Sequence, residues 1–119
     1  MVTPSEFGAW SVSEPNGDVT VFLRGELDLS TAARAKDALL GAVSRGGGRL
    51  TIDVSQLSFI DATGVRGLMS ARLAAEAAGQ PMHVTGAHGV VAIVLELLNF
   101  PVPDRPLVPD QGSGPNLEA

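Results

Sequence analysis

The 119 residues predict an α/β domain on a mixed sheet of four to five strands with three to four helices. Two observations carry this reading. Segments whose apolar residues alternate, such as Leu50, Ile52 and Val54, take turns with segments whose apolar residues recur at helical spacing, such as Ala35, Leu39 and Ala42. The first two strand-like segments are joined by a tight turn, whereas the later ones are separated by helices. Strand–helix–strand units force parallel neighbours with right-handed crossovers, and the opening hairpin makes the sheet mixed.

Each element has its own justification. Phe7–Ser13 reads as a first strand, and Pro15-Asn16-Gly17 supplies turn residues after it. Val19–Leu23 is rich in β-branched and aromatic residues and predicts a well-buried strand. Gly25–Ser30 (GELDLS) follows as a loop, with Ser30 as the N-cap of a helix running to Ser44. The inward face of that helix is Ala32, Ala35, Leu39 and Ala42, and Gly46-Gly47-Gly48 stops it. Leu50–Val54 is the next strand, and a turn then delivers Asp61-Ala62-Thr63-Gly64 to the start of a helix. That helix carries Val65, Leu68, Met69, Leu73 and Ala77 as its apolar stripe and closes at Gly79, near Pro81. Met82–Thr85 is a short strand, and Gly89–Leu98 a third helix that is apolar on most sides. From Pro101 the density of Pro and Gly forbids regular structure over most of the tail, with one short edge strand near Leu107 as the exception. The expected organisation is a flexible start over 1–6, a domain over 7–108 and a disordered tail over 109–119.

Composition narrows the function. The net charge is −5 and no run of Lys or Arg exists, which argues against nucleic acid and anionic membrane surfaces. The chain has no cysteine, so disulfides, thiolate chemistry and cysteine-based zinc sites are excluded. No apolar run approaches the roughly 20 residues that span a bilayer. The first residues lack the pattern of a signal peptide, so a cytoplasmic protein is expected.

Enzymatic motifs fail one by one. Gly41 and Gly46 have phosphate-loop spacing, but Gly47 stands where Lys is required. No G-x-S-x-G elbow occurs. His83 alternates with core-facing Met82 and Val84 and is expected to face solvent, while His88 falls in a turn before the third helix. Neither has a metal-ligand partner at the right spacing. A phospho-accepting aspartate domain needs a Lys late in the fold, and the sole Lys here is Lys36, in the first helix.

If Val19–Leu23 and Leu50–Val54 are parallel, the loops after them leave the same sheet edge, where open α/β sheets place their sites. Glu26 and Asp28 come from one loop, Asp61 and Thr63 from the other, so three carboxylates and one helix-capping hydroxyl should lie near one another. A phosphate on Thr63 would add roughly −1.5 to −2 charges at one surface point. The same residues also have a plainer reading. Asp and Thr are common at helix starts because their oxygens accept free N–H groups, and Glu26 and Asp28 equally suit a solvated turn.

Asp61-Ala62-Thr63-Gly64, taken with Gly25-Glu26-Leu27-Asp28, Thr31-Ala32, Leu57–Asp61 and Leu98-Asn99-Phe100, resembles the STAS family, and within it the bacterial anti-sigma factor antagonists. The resemblance spans Val19–Phe100. It implies a STAS fold and a protein that binds a serine/threonine-kinase anti-sigma factor of the ATPase-fold type, so releasing a sigma factor. The kinase switches such an antagonist off by phosphorylating a D-S-[ST]-G motif, and a phosphatase restores it. By position the acceptor is Thr63, with Glu26, Asp28, Asp61, Gly64, Val65 and Arg66 at partner-contacting places. ATP and magnesium belong to the kinase, so no cofactor is assigned to this chain. Ala62 departs from the usual first Ser and leaves one candidate hydroxyl. Arg66 stands where a small residue is commoner, placed to pair with a phosphate at Thr63, to touch a partner, or to serve as a plain surface charge. The resemblance also admits a structural subunit of a lipid-transport ATPase complex or of a stress-sensing assembly.

Overall fold

The computed structural model describes residues 6–43 and 47–101. Seven elements follow one another: β1 (Gly8–Ser13), β2 (Val19–Leu27), α1 (Ala32–Ala42), β3 (Leu50–Ile60), α2 (Ala62–Ala77), β4 (Met82–Thr85) and α3 (Gly89–Leu97). The strands form one sheet in the order β1-β2-β3-β4, with β1 antiparallel to β2 and the other neighbours parallel. Among the described residues, the four strands and three helices match the lower end of the expected range. The helix end expected at Ser44 and the edge strand expected near Leu107 lie outside the described residues, as does the tail.

Alternation along β2 fixes the core face. Val19, Val21, Leu23, Gly25 and Leu27 are buried, while Thr20, Phe22, Arg24 and Glu26 point the other way. Val21, Leu23, Leu39, Ile52, Val54 and Leu68 have no exposed surface and knit β2, β3, α1 and α2 into one core. The helices α1 and α2 pack side by side, as consecutive right-handed crossovers require. On the other face of β2, Trp10 stacks on Phe22 with ring centroids 5.5 Å apart, and the Arg24 guanidinium lies 6.0 Å from the Trp10 centroid.

Five expectations are corrected. First, β2 continues past Leu23 to Leu27. Gly25 takes a φ of +95° at a register irregularity, and the strand recovers its alternation beyond it, so Leu27 still reaches the core. Glu26 is therefore a strand residue. Second, β3 runs to Ile60. Its alternation breaks at Ser55 and Gln56, yet pairing with β2 persists through Gly25↔Leu57, Glu26↔Phe59 and Leu27↔Ile60. Third, Ser30 does not cap α1. That position belongs to Thr31, whose own hydroxyl turns back into the loop. Fourth, the stripe on α2 drifts. Val65 and Leu68 are buried and Met69 partly so, but Leu73 is 60% exposed and Ala71 and Ala75 take its place. Close packing against α1 and the sheet selects small side chains there, which a search for large apolar residues passes over. Fifth, His83 in β4 is half-buried rather than solvent-facing and borders a small hollow with Arg72, Met82, Phe100 and Pro101.

Candidate functional site

The parallel pairing of β2 with β3 brings the ends of both strands to one sheet edge. The backbone N–H of Asp61 donates to the Leu27 carbonyl at 3.2 Å and ties the two exits together. From β2 the chain passes through Asp28, Leu29 and Ser30 into α1; from β3 it passes through Asp61 directly into α2.

Asp28 organises the first exit. Its carboxylate Oδ1 accepts from the Ser30 hydroxyl at 2.7 Å and from the Ser30 N–H at 2.9 Å. The Thr31 hydroxyl donates to the Glu26 carbonyl at 2.8 Å and accepts from the Asp28 N–H at 3.0 Å. Thr31 is 9% exposed, and with its hydroxyl so occupied it offers no side-chain cap to the helix. The Ser30 hydroxyl, with N–H groups behind it, holds the Asp28 carboxyl below the ordinary carboxylate range by stabilising its charged form.

Asp61 organises the second exit. It is the N-cap of α2, and its Oδ1 accepts from the Gly64 N–H at 3.0 Å. The sequence left the cap open between Asp61 and Thr63; the structure gives it to Asp61. Thr63 is the second helical residue and half-buried. Gly64 presses against the sheet: a Cβ there would meet the Leu27 carbonyl oxygen, Leu27 Cγ and Ile60 Cγ1, each at 2.8 Å. Gly64 is thus required by close approach, and Val65, 5% exposed, packs into the core beside it.

Among the described residues, three concavities lie around these side chains. Asp28, Leu29, Ser30, Phe59 and Asp61 line a shallow one, so two of the predicted carboxylates do share a site. Two large apolar side chains, Leu29 (78% exposed) and Phe59 (37% exposed), stand beside them. Glu26 is exposed and projects from the other face of β2 to Leu27. The second concavity is a groove of about 320 Å³ between α1 and α2, lined by Ala32, Ala33, Lys36, Thr63, Arg66, Gly67 and Ser70. Here the Arg66 guanidinium donates to the Thr63 hydroxyl across a long 3.4 Å. The third lies beyond Arg66, among Ala62, Val65, Met69 and Leu98. The hydroxyl and the acids therefore open into neighbouring hollows, and the side chains sharing the groove of Thr63 include two cations. Lys36, Leu29 and Phe59 were not singled out from the sequence as site residues. The signal available for Lys36 was its position one turn along from Ala32 and Ala33, small residues that leave a groove open beside it.

Among the described residues no group of three or more His, Asp or Glu is placed to hold a metal ion. Among them, no helix is long and apolar enough to cross a membrane.

The fold and this edge define a class: a small α/β domain whose polar loops and helix starts gather where two parallel strands end. A family model described as "Mlab, STAS domain" matches residues 10–109, and the chain belongs to the STAS domain family. Among solved structures it is similar to an anti-sigma factor antagonist from Mycobacterium paratuberculosis, with a TM-score of 0.73 and 20% identity over 92% of this chain and 94% of that one. It is also similar to a variant of RsbS from Moorella thermoacetica, with a TM-score of 0.62 and 25% identity over 92% of this chain and 87% of that one. A third similar structure is the Bacillus cell fate determinant SpoIIAA in its phosphorylated form, with a TM-score of 0.61 and 16% identity over 93% of each chain. No protein of curated function matches the chain by sequence.

Proposed function

We propose that this protein is an anti-sigma factor antagonist: a cytoplasmic binding protein, not an enzyme, that captures an anti-sigma factor kinase and so frees a sigma factor. Its off-switch is phosphorylation of Thr63. One observation carries the reading. Thr63 sits in the first turn of α2, its hydroxyl lines an open groove, and the helix has another residue, Asp61, as its cap. The fold does not consume this hydroxyl, so it is free to be modified. In the transfer, the Thr63 oxygen attacks the γ-phosphorus of ATP bound by the kinase. The bond to the β–γ bridging oxygen breaks, ADP leaves, and the hydroxyl proton passes to a base of the kinase or to solvent. Asp28 and Asp61 would meet basic groups of the partner before modification, when charge-assisted hydrogen bonds favour the complex, while Glu26 stands apart from them on the opposite face of β2. Arg66 borders the same surface, while Gly64 and Val65 set the approach of α2 to the sheet. A phosphatase would reset the switch.

The test combines a pull-down from cells with intact and peptide mass spectrometry. The expected result is an ATPase-fold kinase among the bound proteins and a phosphate on Thr63. The Thr63→Glu variant is expected to keep its fold and to bind that kinase less tightly. A second reading, a constitutive subunit of a transport ATPase or stress-sensing assembly, draws on the exposure of Val90, Ile93, Leu97 and Leu98 on and beside α3, surface that a permanent partner would cover. An unmodified Thr63 with a transporter ATPase bound would establish that reading and overturn the switch.

A further inference from the structure

The two cations beside Thr63 come from different helices. Arg66 lies one turn along α2 and already reaches the hydroxyl. Lys36 stands on α1 and lines the same groove. Both are exposed, and among the described residues neither is held by a carboxylate. The rest of the lining is small, and a Cβ added at Gly67 would meet nothing within 4 Å, so the groove has open space beside the hydroxyl.

We propose that a phosphate on Thr63 is held within this groove by Arg66 and Lys36 together, so that modification bridges α2 to α1 and removes both cations from the partner-facing surface. The inference rests on the phosphorylation reading only in taking Thr63 as the modified residue. Its physics is charge balance. A phosphate of roughly −1.5 to −2 charges meets two cations, and the positive end of the α2 dipole adds to their attraction. Arg66 offers a fork of donors to the phosphate oxygens, and Lys36 a flexible point charge with the reach to follow them. Before modification the edge presents Lys36 and Arg66 next to Asp28 and Asp61. Afterwards the cations are neutralised and the acids dominate. The switch thus acts by withdrawing the Lys36 and Arg66 contacts from the partner and by adding bulk at Thr63, because extra negative charge alone would favour the basic groups that meet Asp28 and Asp61. A glutamate at position 63 carries one charge on a different stem, so Thr63→Glu is expected to reproduce the effect of the phosphate incompletely.

The experiment installs phosphothreonine at position 63 by genetic encoding, without any kinase. A kinase that never modifies Thr63 in cells would refute the proposed function, but this test would stand or fall separately. Phosphorus NMR follows the second ionisation of the phosphate, and Lys36, the sole lysine of the chain, gives a single side-chain ammonium signal under lysine labelling. The expected result is a second ionisation lower by about half a unit than in the urea-unfolded chain, with the Lys36 signal moving along the same titration. Lys36→Gln and Arg66→Gln should each return part of that shift, while the unmodified variants keep the parent's melting temperature because both side chains are exposed. A phosphate that ignores Lys36→Gln, with an unmoved Lys36 signal, overturns the two-helix clamp even if Arg66→Gln has an effect.

Discussion

Asp61 and Thr63 stand two positions apart and answer to different requirements. Asp61 satisfies an otherwise unpaired donor of the first turn of α2. Asp61→Ala is expected to cost about 1 kcal/mol, seen as a lower melting temperature. The Thr63 hydroxyl makes no cap, and its hydrogen bond among the described residues is the long one from the Arg66 guanidinium. Thr63→Ala is therefore expected to stay within about 0.5 kcal/mol of the parent in the same measurement. A loss equal to that of Asp61→Ala would assign the hydroxyl to the fold instead of the switch. Gly64 supplies the sharper contrast. In an exposed helix Gly→Ala gains up to about 1 kcal/mol, because glycine is a poor helix former. Here the new Cβ would press on the backbone oxygen of Leu27, which cannot swing aside. Gly64→Ala is expected to destabilise by about 1–3 kcal/mol, as overpacking does. A stabilised variant in chemical denaturation would show that α2 stands farther from the sheet.

At the scale of elements, the turn from β2 into α1 behaves as a unit held by Asp28, Ser30 and Thr31. The folded Asp28 carboxyl ionises more readily than in the unfolded chain, chiefly because the Ser30 hydroxyl donates to it. A depressed folded pKa gives a stabilising contribution that is fully present above the ordinary carboxylate value of about 3.9 and is lost as pH falls through the folded value. The stability difference between the parent and Asp28→Asn should accordingly shrink on acidification, and Ser30→Ala should raise the Asp28 ionisation measured by carboxyl NMR. An unchanged Asp28 titration in Ser30→Ala would deny the hydroxyl that role. The same turn shows where sequence reading stops. Strand and helix order, the hairpin, β4, and the shared edge of the two loops follow from period and turn chemistry, which are local. The extension of β2 to Leu27 does not, because it depends on Gly25 taking a positive φ within a paired strand. The helix start was shifted from Ser30 to Thr31 by hydrogen bonds that reach back to Glu26 and Asp28. On α2, Ala71 and Ala75 replaced Leu73 in the core because the neighbouring helix leaves little room, a fact of packing and not of hydropathy. Lys36 joined the candidate site for a similar reason: only the side-by-side packing of α1 and α2 brings it to the groove of Thr63.

For the whole molecule, the sheet separates a stable interior from a working edge. The central strands β2 and β3 are paired on both sides and carry the deepest core residues, whereas β1 and the short β4 are edges. Native-state hydrogen exchange should be slowest in β2 and β3, since those amides open only when the core does. The loops over 28–31 and the first turn of α2 should exchange faster, as the proposed docking edge would. Trp10, Phe22 and Arg24 are carried on the other face of the sheet, away from the core side of β2, and so mark a control surface. If a kinase docks at the edge of Asp28, Asp61 and Arg66, complex formation should slow exchange over 28–33 and 61–67 and leave β1 unchanged. Encoded phosphothreonine at position 63 should abolish that footprint while β2 and β3 keep their slow exchange, because the modified residue lies outside the core. Protection centred on β1, or a footprint indifferent to the phosphate, would move the interface off this edge and refute the switch. Loss of slow exchange in β2 and β3 would show instead that the phosphate acts by unfolding the domain.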